Sequence, residues 1–175
     1  MFKRFDICIL LFLALNALYW LAVSSVNSCA GGVFYIAVPA LFIVPAALYM
    51  NFLSMASVVV FSALASFSVV GVNSFLVCAL WLAAAWLVNV CRFRLRSGDA
   101  MANVSLALAV NTLILVAYAF ILPCGVYSLG EYAKRIALDA AASGLFVLLT
   151  ADFCIRLPAQ IMDYFGVDIT MGEEL

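Results

Sequence analysis

Polar side chains inside long apolar stretches are the first candidates for chemistry in this chain. Asn16 and Asn111 each lie at the centre of an apolar stretch long enough to cross a membrane, where an amide is costly unless it has a partner. If both lie near the midplane, their amides are predicted to face each other and form an interhelical hydrogen bond, a contribution of about 0.6 kcal/mol on average. A structural link between helices is therefore the favoured role of the two asparagines. The alternative is that they form part of a ligand pocket.

Acidic and basic residues alternate at helical spacing near the end of the chain. Glu131, Arg135 and Asp139 are separated by four residues each, which predicts one ladder of charge on a helix face. Asp139 then enters the bilayer neutralised by Arg135, and Asp152 and Arg156 repeat the arrangement at the other end of the helix. A proton relay is the alternative for Asp139, but such a relay needs further acidic or histidine stations in other spans. The spacing therefore favours structural ion pairs.

The chain lacks the residue patterns of common active sites. It contains no histidine, which removes the usual general base and the commonest transition-metal ligand. Its six cysteines never form a C-x-x-C pair, so no zinc or redox motif is predicted. We expect no catalytic residue, no metal site and no cofactor. Cys29 and Cys124 fall in predicted outer loops, where a disulfide is a possibility if the compartment is oxidising.

Composition indicates an integral membrane protein with a single membrane domain, residues 1–175. Hydrophobic residues make up 69% and charged residues 10% of the 175 residues, and no charged residue lies between Asp6 and Arg92. No segment is polar enough to fold as a separate soluble domain. A net charge of -1 gives no basic surface, so no nucleic-acid partner is expected and membrane lipids are the implied surroundings.

Hydropathy and turn residues divide the chain into six predicted membrane spans. They cover about 5–26, 33–50, 52–70, 75–90, 101–122 and 135–155, followed by an interfacial C-terminal tail at 158–175. The second span contains Pro39 and Pro45, and is expected to be bent and well packed. Near the end of the first span, 26–29 loosely resembles a lipoprotein cleavage site, but the apolar run is longer than a signal peptide requires.

The distribution of cations predicts the topology. With six spans, one side of the membrane holds Lys3, Arg4, Arg92, Arg94, Arg96 and Arg156, and the other holds only Lys134 and Arg135. Cytoplasmic loops carry the excess of Lys and Arg. The predicted fold is an all-α bundle of six transmembrane helices with both termini in the cytoplasm.

Two groups of residues are predicted to bind partners. The third span is rich in small residues that allow close helix contact, and it is expected to be central, with Ser62, Ala63 and Ser66 as its docking residues. Arg92, Arg94 and Arg96 alternate with apolar residues after the fourth span and are expected to face cytoplasmic components or lipid headgroups. The alternative for this cluster is a stop-transfer signal with no specific partner.

From about residue 33 to residue 122 the arrangement resembles the MreD family, the small rod-shape-determining membrane proteins of bacteria. The resemblance rests on the chain length, the proline-bearing second span, the small-residue third span that reaches a turn at Gly71, and the arginine cluster after the fourth span. It implies a non-enzymatic scaffold of the elongation machinery in the bacterial plasma (inner) membrane. The implied partners are an MreC-type protein, an MreB-type actin-like filament and peptidoglycan synthases.

The same resemblance implies a fold similar to the substrate-binding S subunits of energy-coupling-factor vitamin transporters. Such a subunit is the alternative function. Those subunits usually carry an A-x-x-x-A motif in the first helix and a longer first outer loop, whereas here Ala14 is followed by Leu18 four residues on. The scaffold is therefore the first expectation from the sequence.

Overall fold

A computed structural model describes residues 4–31, 33–67, 74–95, 100–121 and 129–165 of the chain. Within these residues the protein is all-helical and has no strand. The helices are α1 (Arg4–Cys29), α2 (Pro39–Tyr49), α3 (Phe52–Phe67), α4 (Ser74–Leu95), α5 (Ala100–Ile121) and α6 (Leu129–Tyr164).

The helices have the length and surface of a multi-pass membrane protein. Among the described residues, α1, α4, α5 and α6 are long and apolar enough to cross a bilayer, while α2 and α3 are shorter apolar helices. Large apolar side chains such as Phe75, Phe120 and Leu149 are more than 70% exposed. A soluble surface rarely exposes so many apolar residues, but lipid solvates them well.

A ring of five helices surrounds the short helix α2. Around the ring, α1 packs against α3, α3 against α4, α4 against α5, α5 against α6 and α6 against α1. Helix α2 contacts α3, α4, α5 and α6 from inside the ring, and residues 39–48 are all buried. The prediction that the third span is central is therefore wrong, because α3 belongs to the ring and α2 occupies the centre.

The sequence of α2 is compatible with this position. Its 11 residues, PALFIVPAALY, include no charged or amide side chain on any face, which is typical of a helix buried on all sides. Helix α2 is only about 16 Å long at 1.5 Å per residue, against about 30 Å of hydrocarbon.

The first part of the predicted second span is not helical. The sequence predicts a helix from residue 33, but residues 34–38 have no helical structure and α2 begins at Pro39. Proline disfavours helical geometry in the residue before it and is well suited to the first helical position. Residues 34–38 are called the extended stretch below because they form neither a helix nor a strand.

Side chains of neighbouring helices cap both ends of α2. At its start, Asn111 Oδ1 accepts the Ala40 N–H at 3.5 Å. At its end, Asn89 Nδ2 donates to the carbonyl oxygens of Ala47 at 2.9 Å and Met50 at 3.2 Å. Because backbone groups without partners are costly inside a membrane, these amides allow a short helix to end inside the bundle.

Helix α6 is longer than predicted. The last span was expected to end near residue 155, with a separate interfacial tail from 158, but α6 continues through Pro158 to Tyr164. Met162 in this extension is 4% exposed, and the Cys8 thiol donates to its sulfur at 3.6 Å. Packing against the start of α1 therefore holds the segment in the helix up to Tyr164, and residues 166–175 lie outside the described part of the chain.

Candidate ligand-binding site

The extended stretch at 34–38 is held by polar side chains from three helices. Asn27 of α1 binds both backbone groups of Ile36: its Oδ1 accepts the N–H at 2.7 Å and its Nδ2 donates to the carbonyl at 3.0 Å. Asp139 Oδ1 of α6 accepts the Tyr35 N–H at 2.7 Å. These contacts replace the hydrogen bonds that a helix would have supplied.

Ala37, the next residue of the stretch, is also bound through both of its backbone groups. The Ala37 N–H donates to Ser143 Oγ of α6 at 2.9 Å, and the Ala37 carbonyl accepts from Asn111 Nδ2 of α5 at 3.3 Å. Ser143 and Asn111 are both at most 1% exposed. Non-helical backbone inside a membrane is tolerated where protein surrounds it or where it lines a cavity, and both conditions hold here.

A cavity of about 450 Å³ lies beside this stretch. It occupies the end of the bundle at which α1, α3 and α5 finish and α2, α4 and α6 begin, here called the distal end; the opposite end is the proximal end. All six helices contribute lining residues, and so does the extended stretch. The volume is within the range of pockets that hold small organic molecules, about 300–1,000 Å³.

The walls of this distal cavity are mainly apolar and include five aromatic residues, which are Trp20, Tyr35, Phe42, Trp81 and Tyr118. Phe42 and Trp81 are stacked, with ring centroids 6.0 Å apart and planes 11° from parallel. Trp81 Nε1 donates a hydrogen bond to the Tyr118 hydroxyl. These contacts fix the orientation of the rings in advance, so a flat ligand meets a preformed surface.

Asp139 brings a carboxylate to the cavity wall. Its Oδ2 accepts from Arg135 Nε at 3.4 Å, and its side chain is 25% exposed. The ion pair predicted from the spacing of these two residues is therefore present. Asp139 also holds the Tyr35 backbone, a contact that the spacing did not predict.

The second predicted ion pair is present at the proximal end of α6. Arg156 Nε lies 2.7 Å from Asp152 Oδ1, and Asn103 Nδ2 of α5 donates to the same oxygen at 3.2 Å. Asp152 therefore links two helices, and it is not part of the distal cavity.

The predicted contact between Asn16 and Asn111 is wrong. Asn16 Nδ2 donates to Ser62 Oγ of α3 at 2.7 Å, whereas Asn111 binds the start of α2. Helix α1 packs against α3 and α6 in the ring, and α2 lies between the two asparagines. Both amides still link helices, but each has a different partner from the one expected.

The predicted docking residues of α3 lie on the inner side of the helix. Ala63 is fully buried, and Ser62 is 6% exposed and bonded to Asn16. Ser62 and Ser66 also line a groove of about 270 Å³ between α1 and α3, next to the distal cavity. A bulky residue at position 63 would therefore disrupt this chain's own core.

The predicted arginine cluster is described only in part. Arg92 Nη1 donates to the Met50 carbonyl at 3.0 Å, so this side chain helps to cap α2. Arg94 lies in the last turn of α4 with its side chain outside the described part of the structure, and Arg96 lies outside the described residues.

The cysteines give no metal site among the described residues. Cys29 is an exposed free thiol, and Cys124 lies outside the described residues, so the disulfide between them stays a prediction. Within the described part of the chain, no group of three or more Cys, Asp or Glu residues is placed to hold a metal ion.

The residues that hold the extended stretch are not singled out by a sequence pattern. Asn27 begins a polar, glycine-bearing segment typical of a turn, and Ser143 is an isolated hydroxyl in the last apolar span. Pro39 is the one sequence feature that indicates a non-helical segment here, because proline makes helical geometry unfavourable at residue 38. An extended stretch inside a membrane then requires polar side chains nearby.

Comparison with protein-family models, with curated proteins and with solved structures finds no match for this chain.

Proposed function

We propose that this protein is a membrane-embedded binding protein for a small organic molecule, which it holds in the distal cavity. The cavity itself carries the proposal, since it is about 450 Å³ in volume, aromatic-walled and bordered by a carboxylate. Pockets that bind small molecules combine such apolar walls with a few polar groups that fix orientation. The role corresponds to that of the S subunit of an energy-coupling-factor transporter for a vitamin or other micronutrient.

The broken second span supports this proposal. In many transporters the substrate lies where a membrane helix is interrupted and its unwound backbone reaches the site. Here the extended stretch and the start of α2 both line the cavity, through Tyr35, Ala37 and Pro39 among others.

The proposed membrane arrangement gives the cavity its direction of access. We place the protein in the bacterial plasma membrane with both termini in the cytoplasm, on the basis of the cation distribution. The extended stretch and α2 together then act as the second of six spans. The distal end faces the outside, so the ligand is taken from the external medium.

Filling the cavity tests the proposal. We expect wild-type protein in detergent to show a thermal shift, and a change in the fluorescence of Trp20 and Trp81, with at least one compound from a panel of vitamins, amines and carboxylates. Ala140 lines the cavity, so Ala140→Phe should weaken binding at least about tenfold, or by about 1.4 kcal/mol.

Ala141→Phe is the matched control, because Ala141 is the next residue of α6 and is exposed. It should bind as wild type does. Equal responses of wild type and Ala140→Phe to every compound of the panel would contradict the proposal.

A non-enzymatic scaffold in the cell-elongation machinery is the second candidate function. The observation that favours it is the groove between α1 and α3, which Ser62 and Ser66 line together with the small residues Ala17 and Ala65. Small residues allow close approach of a second membrane helix. An MreC-type protein is the proposed direct partner, with the MreB-type filament and peptidoglycan synthases in the same assembly.

Co-purification with a co-expressed MreC-type protein tests the scaffold. Ala65 lines the groove and is exposed, and Ala83 on α4 is exposed elsewhere on the bundle. Ala65→Phe should reduce recovery of the partner and Ala83→Phe should not. The same recovery with both variants would argue against this groove as the docking site.

A further inference from the structure

The start of α2 resembles an anion site, but its N–H groups are already occupied. Backbone N–H groups at a helix N-terminus ordinarily attract anions. Here the Ala40 N–H donates to Asn111 and the Leu41 N–H donates to the Val38 carbonyl. The N–H groups of the three residues 35–37 just before the helix also donate to protein side chains. Pro39, the first residue of α2, has no N–H to offer. Few backbone donors therefore remain for a negatively charged ligand.

Asp139, in contrast, retains capacity to accept hydrogen bonds. A carboxylate has about four acceptor positions, and among the described residues two donors bind Asp139: the Tyr35 N–H and, at the longer distance of 3.4 Å, Arg135 Nε. Among the described residues that line the cavity, Asp139 is the only charged one. Its partner Arg135 is not a lining residue, so the charge that the cavity wall itself carries is negative.

The aromatic rings that line the cavity also favour a positively charged ligand. Indole and phenol rings attract cations over their faces, and tryptophan does so most strongly. Trp20 is partly exposed and Tyr35 is 45% exposed, and both line the cavity, whereas Trp81 is 2% exposed and stacked on Phe42. Trp20 and Tyr35 are therefore the rings that a cation can reach. Such contacts are stronger where water is excluded.

We propose that the distal cavity selects organic cations, with a protonated amine bound to Asp139 and a flat apolar group between the aromatic walls. This inference rests on the proposed function, since it names the class of ligand for the same cavity. Arg135 and the Tyr35 backbone N–H then fix the carboxylate in position. A ligand of this class makes a charge-assisted hydrogen bond that a neutral analogue does not make.

Three compounds of similar shape test the selection by charge. The probes are 2-(1-naphthyl)ethylamine, 2-(1-naphthyl)ethanol and 1-naphthylacetate, titrated by calorimetry against purified protein in detergent. Titration into detergent without protein measures partition of each probe into the detergent and is subtracted. We expect the amine to bind at least about tenfold more tightly than the alcohol or the carboxylate, as one charge-assisted hydrogen bond suggests.

Asp139→Asn removes the charge and keeps an oxygen that can accept the Tyr35 N–H. It should weaken amine binding about tenfold or more and change alcohol binding by less than about threefold. Asp139→Glu should keep the preference for the amine. Asp152→Asn is the matched control, because Asp152 belongs to the equivalent ion pair at the proximal end.

The outcomes separate this inference from the function on which it rests. If the three probes bind equally and Ala140→Phe abolishes all of them, the cavity binds ligands without selecting cations, and the inference is overturned alone. If no probe distinguishes wild type from Ala140→Phe, the cation inference is again overturned, and the panel of vitamins, amines and carboxylates decides on the function separately.

Discussion

At the scale of single residues, Asn27 is the side chain on which the extended stretch most depends. A primary amide carries one acceptor and two donors, so one Asn can bind the N–H and the carbonyl of the same residue. Asn27 does this for Ile36 at 2.7 and 3.0 Å. Because Ile36 is 5% exposed, water is a poor substitute for either contact.

We expect Asn27→Leu to lower the free energy of unfolding by about 2–5 kcal/mol. Leucine is similar in size but leaves two backbone groups of Ile36 without partners, and each such group costs about 1–3 kcal/mol. Thermal unfolding in detergent, followed by circular dichroism, provides the measurement. Ser28→Ala is the control, since the Ser28 hydroxyl is exposed and donates to Ser24 within α1. Equal melting temperatures of the two variants would show that Asn27 has no such role.

At the scale of elements, α2 is a short helix held by its ends. Asn111 binds its start, while Asn89 and Arg92 bind the carbonyls at its end. Nothing in the α2 sequence itself supplies these caps, because Val38 at its N-terminus has no side-chain cap. The position of α2 therefore depends on α4 and α5 as much as on its own apolar surface.

The two ends of α2 should respond differently to loss of their amide. Asn89→Leu and Asn111→Leu should each reduce the free energy of unfolding by about 1–3 kcal/mol, through unpartnered backbone groups. Only Asn111→Leu should also weaken ligand binding in the distal cavity, because Asn111 holds Ala37, a lining residue. Calorimetric titration at a temperature where both variants are folded tests this. Equal loss of binding in the two variants would show that the cavity depends on the position of α2 as a whole and not on the contact between Asn111 and Ala37.

At the scale of the whole molecule, the proposed orientation places the two bundle ends in different compartments. Cys29 lies at the distal end of α1 and Cys91 at the proximal end of α4, and both are exposed free thiols. The two cysteines lie at opposite ends of the bundle because successive helices run in opposite directions, and each cysteine is near the C-terminal end of its helix. They can therefore report on the two sides of the membrane without the introduction of new cysteines.

A membrane-impermeant maleimide tests the orientation in intact spheroplasts. In variants that keep a single native cysteine, the thiol of Cys29 should be labelled from outside and the thiol of Cys91 only after the membrane is opened. The reverse pattern would place both termini outside and would reverse the side from which the cavity is reached.

Of the polar contacts in this protein, those that could be predicted from sequence lie within one helix. Arg135 pairs with Asp139, and Arg156 with Asp152, because residues four apart share a helix face whatever the rest of the fold does. Asn16 and Asn111 were recognised as costly polar groups in apolar spans, but their partners were not found. Those partners lie on other helices, and their identity depends on which helices touch.

The sequence by itself determined that this chain is helical and apolar enough to cross a membrane, because composition and helix period act locally and need no knowledge of packing. Only the tertiary structure decided that α2 is central, that residues 34–38 are extended, and that a cavity lies beside them. These features arise from contacts between residues far apart in the chain, such as Tyr35 with Asp139. An apolar span has the same hydropathy whether its neighbours are lipid or other helices. Hydropathy alone therefore does not distinguish a helix of the ring from the helix at its centre.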